Sequence, residues 1–172
     1  MTDNNFNLRI GKWFTFFAFV IIFFFLTLFF NNQLEKKRNP NQDVLFSANS
    51  TGVKEVVLTR NRAGHYVASG KINDIPVELM IDTGASNIAV PIHLAKQLKL
   101  RPLRPIIYQT ANGNVQGYTT NIKTIQLGNI VLNNVYGGLN PGMKSNTVLL
   151  GMSFFKNIDF EQRGKTLTIR QY

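Results

Sequence analysis

Residues 13–30 form an almost unbroken run of Phe, Ile, Leu and Val, with Thr15 and Thr27 as its polar interruptions. As a helix such a run extends about 27 Å, a bilayer-spanning length. It removes the N-terminus from any soluble core and leaves one domain's worth of the 172 residues. A cleaved signal peptide would have a shorter apolar region and a small-residue cleavage site. Here Asn31-Asn32-Gln33-Leu34 follows directly, so residues 13–30 are expected to be an uncleaved, single-pass transmembrane anchor behind a tail of residues 1–12. Arg9 and Lys12 precede the run and Lys36, Lys37 and Arg38 follow it, so the flanking positive charge is nearly balanced and does not fix an orientation. Residues 31–52, rich in Asn, Gln, Lys and Ser, lack the apolar content to build a core. They read as a polar linker, with the folded domain over residues 53–172.

Within that domain the most informative stretch is Val77-Glu78-Leu79-Met80-Ile81-Asp82-Thr83-Gly84-Ala85-Ser86. Val77, Leu79 and Ile81 alternate as in a half-buried strand, and the strand delivers one carboxylate, Asp82, to a loop in which Gly84 permits a tight turn. Asp-Thr-Gly by itself is also what an ordinary Asx turn at a strand end looks like. Together with Leu79-Met80-Ile81 before it and Ala85-Ser86 after it, the stretch resembles the active-site loop of one-domain, retroviral-type (retropepsin-like) aspartic proteases, and the resemblance covers residues 60–172. It implies an all-β fold, a closed β-barrel with one or two short helices, preceded here by the transmembrane helix. It also implies that Asp82 is catalytic, that Thr83 sends its hydroxyl to a partner loop, that Gly84 places a backbone donor on the carboxylate, and that Ser86 bonds the carboxylate's outer oxygen. Two carboxylates are needed, because a pair packed together shares one proton and divides the work of general base and general acid. The chain has one such triplet and is too short for a second lobe, so the resemblance implies a homodimer.

The remaining segments read as strands and turns around that loop. Val56-Val57-Leu58 is a short apolar run. Residues 65–72 alternate, Asn73-Asp74 is a turn, and Asp74 is a turn residue without a catalytic part. Pro91 suits the start of a short helix through Leu98, with Leu94, Ala95 and Leu98 inward and His93 at its surface. Residues 106–111 and 114–118 flank Asn112-Gly113, a hairpin signal. By its place after the Asp82 loop, this hairpin is similar to the flap that covers substrate in the family: Thr110, Ala111, Asn112, Gly113 and Asn114, with Gly113 and Gly117 easing its motion. Residues 122–127 and 130–136 form a further hairpin about Gly128-Asn129. Leu149-Leu150-Gly151 resembles the family's second signature, with Leu150 and Gly151 packed beside the Asp82 loop because a side chain at Gly151 would collide with it. A short helix is expected to follow. Asp159 lacks Thr-Gly companions and belongs to the fold. Residues 165–170 alternate as a last strand, whose edge is available for pairing with a second subunit.

Composition narrows the chemistry. The formal charge of +10 comes from scattered lysines and arginines, without a basic run or nucleic-acid module, and reads as a solvated surface with no nucleic-acid partner. The chain has no cysteine, and His65 and His93 are isolated, so neither thiol catalysis nor a metal site is expected. The mechanism the resemblance implies needs no cofactor. The expected partners are a second copy of the chain, a peptide or protein substrate, and a lipid bilayer through residues 13–30. Similarity to membrane-tethered bacterial proteins places the domain on the periplasmic side of an inner membrane. The rival reading is a noncatalytic, membrane-tethered peptide-binding or scaffold module that keeps the barrel.

Overall fold

The computed structural model describes residues 3–48, 52–110 and 113–172. The chain divides into two compact units, residues 1–37 and 38–172. The first is part of one helix, α1 (Asp3–Arg38), which from Trp13 onward is long and apolar enough to cross a membrane. The second is mostly β: β1 (Leu45–Ala48), β2 (Lys54–Thr59), β3 (Tyr66–Ile72), β4 (Ile75–Ile81), β5 (Ile88–Pro91), β6 (Pro105–Thr110), β7 (Gly113–Leu127), β8 (Ile130–Asn140), β9 (Thr147–Leu150), β10 (Asp159–Arg163) and β11 (Thr166–Gln171).

Seven strands form one sheet in the order β3-β4-β9-β5-β8-β7-β6, and β3 pairs in addition with β7 through Lys71–Gln126 and Ile72–Ile125. A second sheet has the order β1-β2-β11-β10. Alternate residues of both sheets, among them Val56, Leu58, Leu79, Val90, Ile122, Leu139, Val148 and Ile169, are fully buried in one core. Each such aliphatic side chain contributes roughly 1.5–3 kcal/mol on burial. Hairpin turns set the register. Asn73 and Asp74 both take positive φ (50° and 65°), the geometry of a two-residue primed turn, so Ile72 faces Ile75 and Asp82 arrives at the end of β4. Asn73 also ties this turn to its surroundings, its Nδ2 donating to the Leu98 carbonyl at 2.7 Å.

Four expectations need correction. Residues 31–52 are not a uniform tether: α1 continues to Arg38, and β1 pairs with β2. Between them, buried Asn41 joins β2 to β3. Its Nδ2 donates to the Thr59 and Val67 carbonyls at 2.9 and 2.7 Å, its Oδ1 accepts from the Thr59 N–H at 2.7 Å, and its carbonyl accepts from the Ser69 N–H at 3.1 Å. The folded unit therefore begins near residue 38, fifteen positions before 53. The last strand does not offer a free edge either, since β11 lies between β2 and β10 and the edges of that sheet are β1 and β10. The short helix after Pro91 is a single 3-10 turn, Ile92–Leu94, extended by turns that end where Lys99 adopts positive φ; Leu94, Ala95 and Leu98 do face inward. After Gly151 the chain also makes successive i→i+3 turns instead of a helix, which bury Phe154 and Phe155.

Candidate active site

The loop after β4 is positioned by hydrogen bonds at both ends. Leu79 is buried in the core, and β4 runs parallel to β9, with Ile81 beside Leu150. One residue further, the Asp82 N–H donates to the Leu150 carbonyl at 3.1 Å. The loop then turns on itself: the Ala85 N–H donates to the Asp82 carbonyl at 3.2 Å, and the Gly84 N–H donates to Asp82 Oδ1 at 3.0 Å. A backbone donor held two residues along the chain fixes the orientation of the carboxylate. Asp82 is half-buried, while Thr83, Gly84 and Ser86 are exposed.

The segment after β9 threads along this loop. A Cβ on Gly151 would lie 2.5 Å from the Ala85 carbonyl oxygen and would also strike the Asn87 carbonyl oxygen, so only glycine fits. The Met152 N–H donates to the Ala85 carbonyl at 2.8 Å and the Ser153 N–H to the Ser86 carbonyl at 3.0 Å. Ser153 Oγ accepts from the Ile88 N–H at 3.1 Å, where the loop enters β5. Leu150 and Gly151 thus lie beside the Asp82 loop. Ser86 differs: among the described residues its hydroxyl makes no bond to Asp82, and it takes part through its carbonyl. Ser153 was missed, although a small polar residue just after the tight Gly151 turn is the signal that finds it.

Strand parity identifies the surface on which Asp82 opens. Leu79, Val90, Leu139 and Val148 point into the core, so Met80, Ala89, Gly138 and Leu149 lie on the opposite face. They are neighbours in the ladder, Met80 beside Leu149, Leu149 beside Ala89, and Ala89 beside Gly138. Asp82 is two residues beyond Met80 and shares its side. The predicted hairpin forms: β6 pairs with β7 from Pro105–Tyr118 to Thr110–Gly113. Ala111 and Asn112 lie outside the described residues. Gly113 has φ of 104°, as a hairpin end requires, and a Cβ there would meet no described residue, while Gly117 does not take positive φ and serves close packing instead of freedom of motion.

A recess of about 270 Å³ adjoins the site, lined by Asp82 and Thr83, by His65, and by Phe160 and Gln162 of the edge strand β10. Asp74 and Asp159 are not part of the site, the first lying in the β3–β4 turn and the second, exposed, at the start of β10. His93 lies at the surface, with its Nε2 2.9 Å from Asn146 Oδ1. Among the described residues no three His, Cys, Asp or Glu side chains converge.

A β domain that threads a glycine turn beside an Asp-Thr-Gly loop defines the aspartic protease class. Residues 68–157, just over half of the chain, match the family described as "gag-polyprotein putative aspartyl protease". The crystal structure of a retropepsin-like aspartic protease from Rickettsia conorii is similar, with a TM-score of 0.59 and 28% identity over 74% of this chain and 96% of that one. The chain belongs to the retropepsin-like aspartic protease family. It is also 29% identical over 136 residues to an uncharacterized protein from the cobV 5′ region of Sinorhizobium sp, covering 77% of this chain and 58% of that protein. An uncharacterized protein of Rickettsia prowazekii (strain Madrid E) is 30% identical over 128 residues, covering 72% of this chain and 54% of the relative. The chain thus spans little more than half the length of these relatives.

Proposed function

We propose that this chain is a membrane-anchored aspartic endopeptidase that acts as a homodimer, each subunit contributing Asp82. The observation that carries the reading is the Asp82 loop itself: a half-buried carboxylate receiving the Gly84 N–H, on a loop clamped by Leu150, Met152 and Ser153. Nothing in a plain turn requires so many fixed points. Two such carboxylates facing each other share one proton. The ionised one takes a proton from water as it attacks the peptide carbonyl, and the protonated one donates a hydrogen bond to the carbonyl oxygen. The water hydrogen replaces the broken bond at nitrogen, and neither a covalent intermediate nor a cofactor is needed.

The recess beside Asp82 and Thr83 is a suitable place for the second subunit's loop, and the free edge of β10 flanks it. Thr83, exposed in one subunit, would reach across there. The additional β3–β7 pairing supports reading the seven-stranded sheet as a closed barrel. The β6–β7 hairpin acts as the flap, and an extended peptide would lie beneath it along Met80, Leu149 and Ala89 with main-chain pairing like an added strand. Residues 13–30 anchor the subunits in one membrane, with the domain on the periplasmic side of a bacterial inner membrane. The test is cleavage of a peptide library by the purified full-length protein in detergent, with and without Asp82→Ala. Cleavage abolished by the substitution is expected, and cleavage that survives it would remove this mechanism.

A further inference from the structure

Tyr108 projects from β6, the first arm of the hairpin, and its ring lies across glycines on two successive strands. A Cβ on Gly117 of β7 would sit 2.5 Å from Tyr108 Cε2. A Cβ on Gly138 of β8 would collide with Tyr108 Oη and sit 2.8 Å from Cζ. Both glycines are buried and neither has positive φ, so what they supply is room: at Gly138 for the ring, and at Gly117 for the ring and for the Leu139 carbonyl. Register explains the reach. Tyr108 faces Val115, Gly117 follows two residues later on the same side, and Gly138 faces Thr119 on the next strand. One ring therefore ties the hairpin to the strand that borders Ala89, on the same face as Met80 and Asp82. The opposite face at this point is already filled, by Tyr118 and Leu139.

The seat is a compromise. Among the described residues the Tyr108 hydroxyl, buried there, has no hydrogen-bond partner. Ring packing favours the seated position while the unpaired hydroxyl opposes it. A contact balanced in this way can be left and regained, as a moving hairpin requires.

We propose that Tyr108, seated on Gly117 and Gly138, is the positioning residue that sets where the β6–β7 hairpin stands over the cleft, and that the hairpin opens when the ring leaves this seat. The kinetic consequence rests on the peptidase reading of Asp82, whereas the seat does not. The test compares full-length wild type with Tyr108→Ala, Tyr108→Phe, Gly138→Ala and the double variant Tyr108→Leu/Gly138→Ala, by amide hydrogen exchange and by peptidase kinetics.

In Tyr108→Ala, exchange should quicken about tenfold in residues 105–110 and 113–118 while β3, β4 and β9 keep wild-type rates, and KM should rise about tenfold with kcat within about twofold. Gly138→Ala should reproduce this with Tyr108 intact, because the added methyl evicts the ring. The double variant, which shortens the side chain that the methyl meets, should return exchange to near wild-type rates. Tyr108→Phe keeps the ring, so its hairpin should exchange no faster than wild type. Unchanged exchange in Tyr108→Ala and Gly138→Ala, or faster exchange spread uniformly over the domain, would overturn the proposal. If wild type cleaves no peptide, the peptidase reading fails, and the exchange pattern still decides the seat.

Discussion

Gly151 stands so close to Ala85 that a Cβ on it would lie 2.5 Å from the Ala85 carbonyl oxygen, while that same oxygen accepts the Met152 N–H. The loop cannot withdraw from residue 151 without losing a hydrogen bond made by residue 152. Gly151→Ala should therefore displace the Asp82 loop and cost about 2–4 kcal/mol in chemical denaturation. Peptide cleavage should fall even under conditions in which the variant is folded. A loss below about 0.5 kcal/mol would show that the loop yields freely.

Asn41 offers a second test, because its amide satisfies backbone groups of both β2 and β3. Asn41→Ala leaves the Thr59 N–H and the Thr59 and Val67 carbonyls without these bonds and should cost about 2–4 kcal/mol. A soluble chain of residues 38–172 should keep the stability of the intact domain, whereas one of residues 53–172 should lose at least as much as Asn41→Ala. Equal denaturation midpoints for the two truncations would contradict the role given to Asn41.

Burial, with a smaller contribution from Tyr136, pushes the Tyr108 phenol up to about 12 from its ordinary 10. Below pH 10 the group is neutral in the folded and unfolded chains alike, and its contribution to stability is intact. Between pH 10 and 12 the unfolded chain ionises while the folded chain does not, so stability falls as pH rises. Tyr108→Phe should flatten the pH dependence of the denaturation midpoint in this window, and the same slope in both proteins would place the phenol in water.

Alternation and turn chemistry made much of the fold legible. Val77, Leu79 and Ile81 announce β4, and Asn73-Asp74 announces the turn that delivers it. Gly151 was expected beside the Asp82 loop because Leu149-Leu150-Gly151 resembles the second signature of the family, an expectation carried by the resemblance and not by alternation. Residues 39–48 were not legible, since their order comes from Asn41 bonding to residues eighteen and twenty-six positions away and from β1 pairing with β2, and composition carries no trace of such bonds. Alternation in β11 reveals which side chains are buried, and it does not reveal that both of its edges are occupied. The Tyr108 seat was hidden for a similar reason: Gly117 reads as a flexible hairpin residue until Gly138, from a different strand, is placed beside it.

The central claim is that two Asp82 side chains form one active site, and mixing subunits tests it most directly. Wild-type and Asp82→Asn chains are combined equally at fixed total concentration in detergent, with exchange and dimer formation verified by native mass spectrometry. Random pairing leaves about a quarter of the dimers with two carboxylates. Mixed dimers keep one carboxylate and lose the pair that divides general base from general acid. Activity should fall to about a quarter of the all-wild-type value, whereas about half, with mixed dimers present, would mean that each chain acts alone and would contradict the shared site.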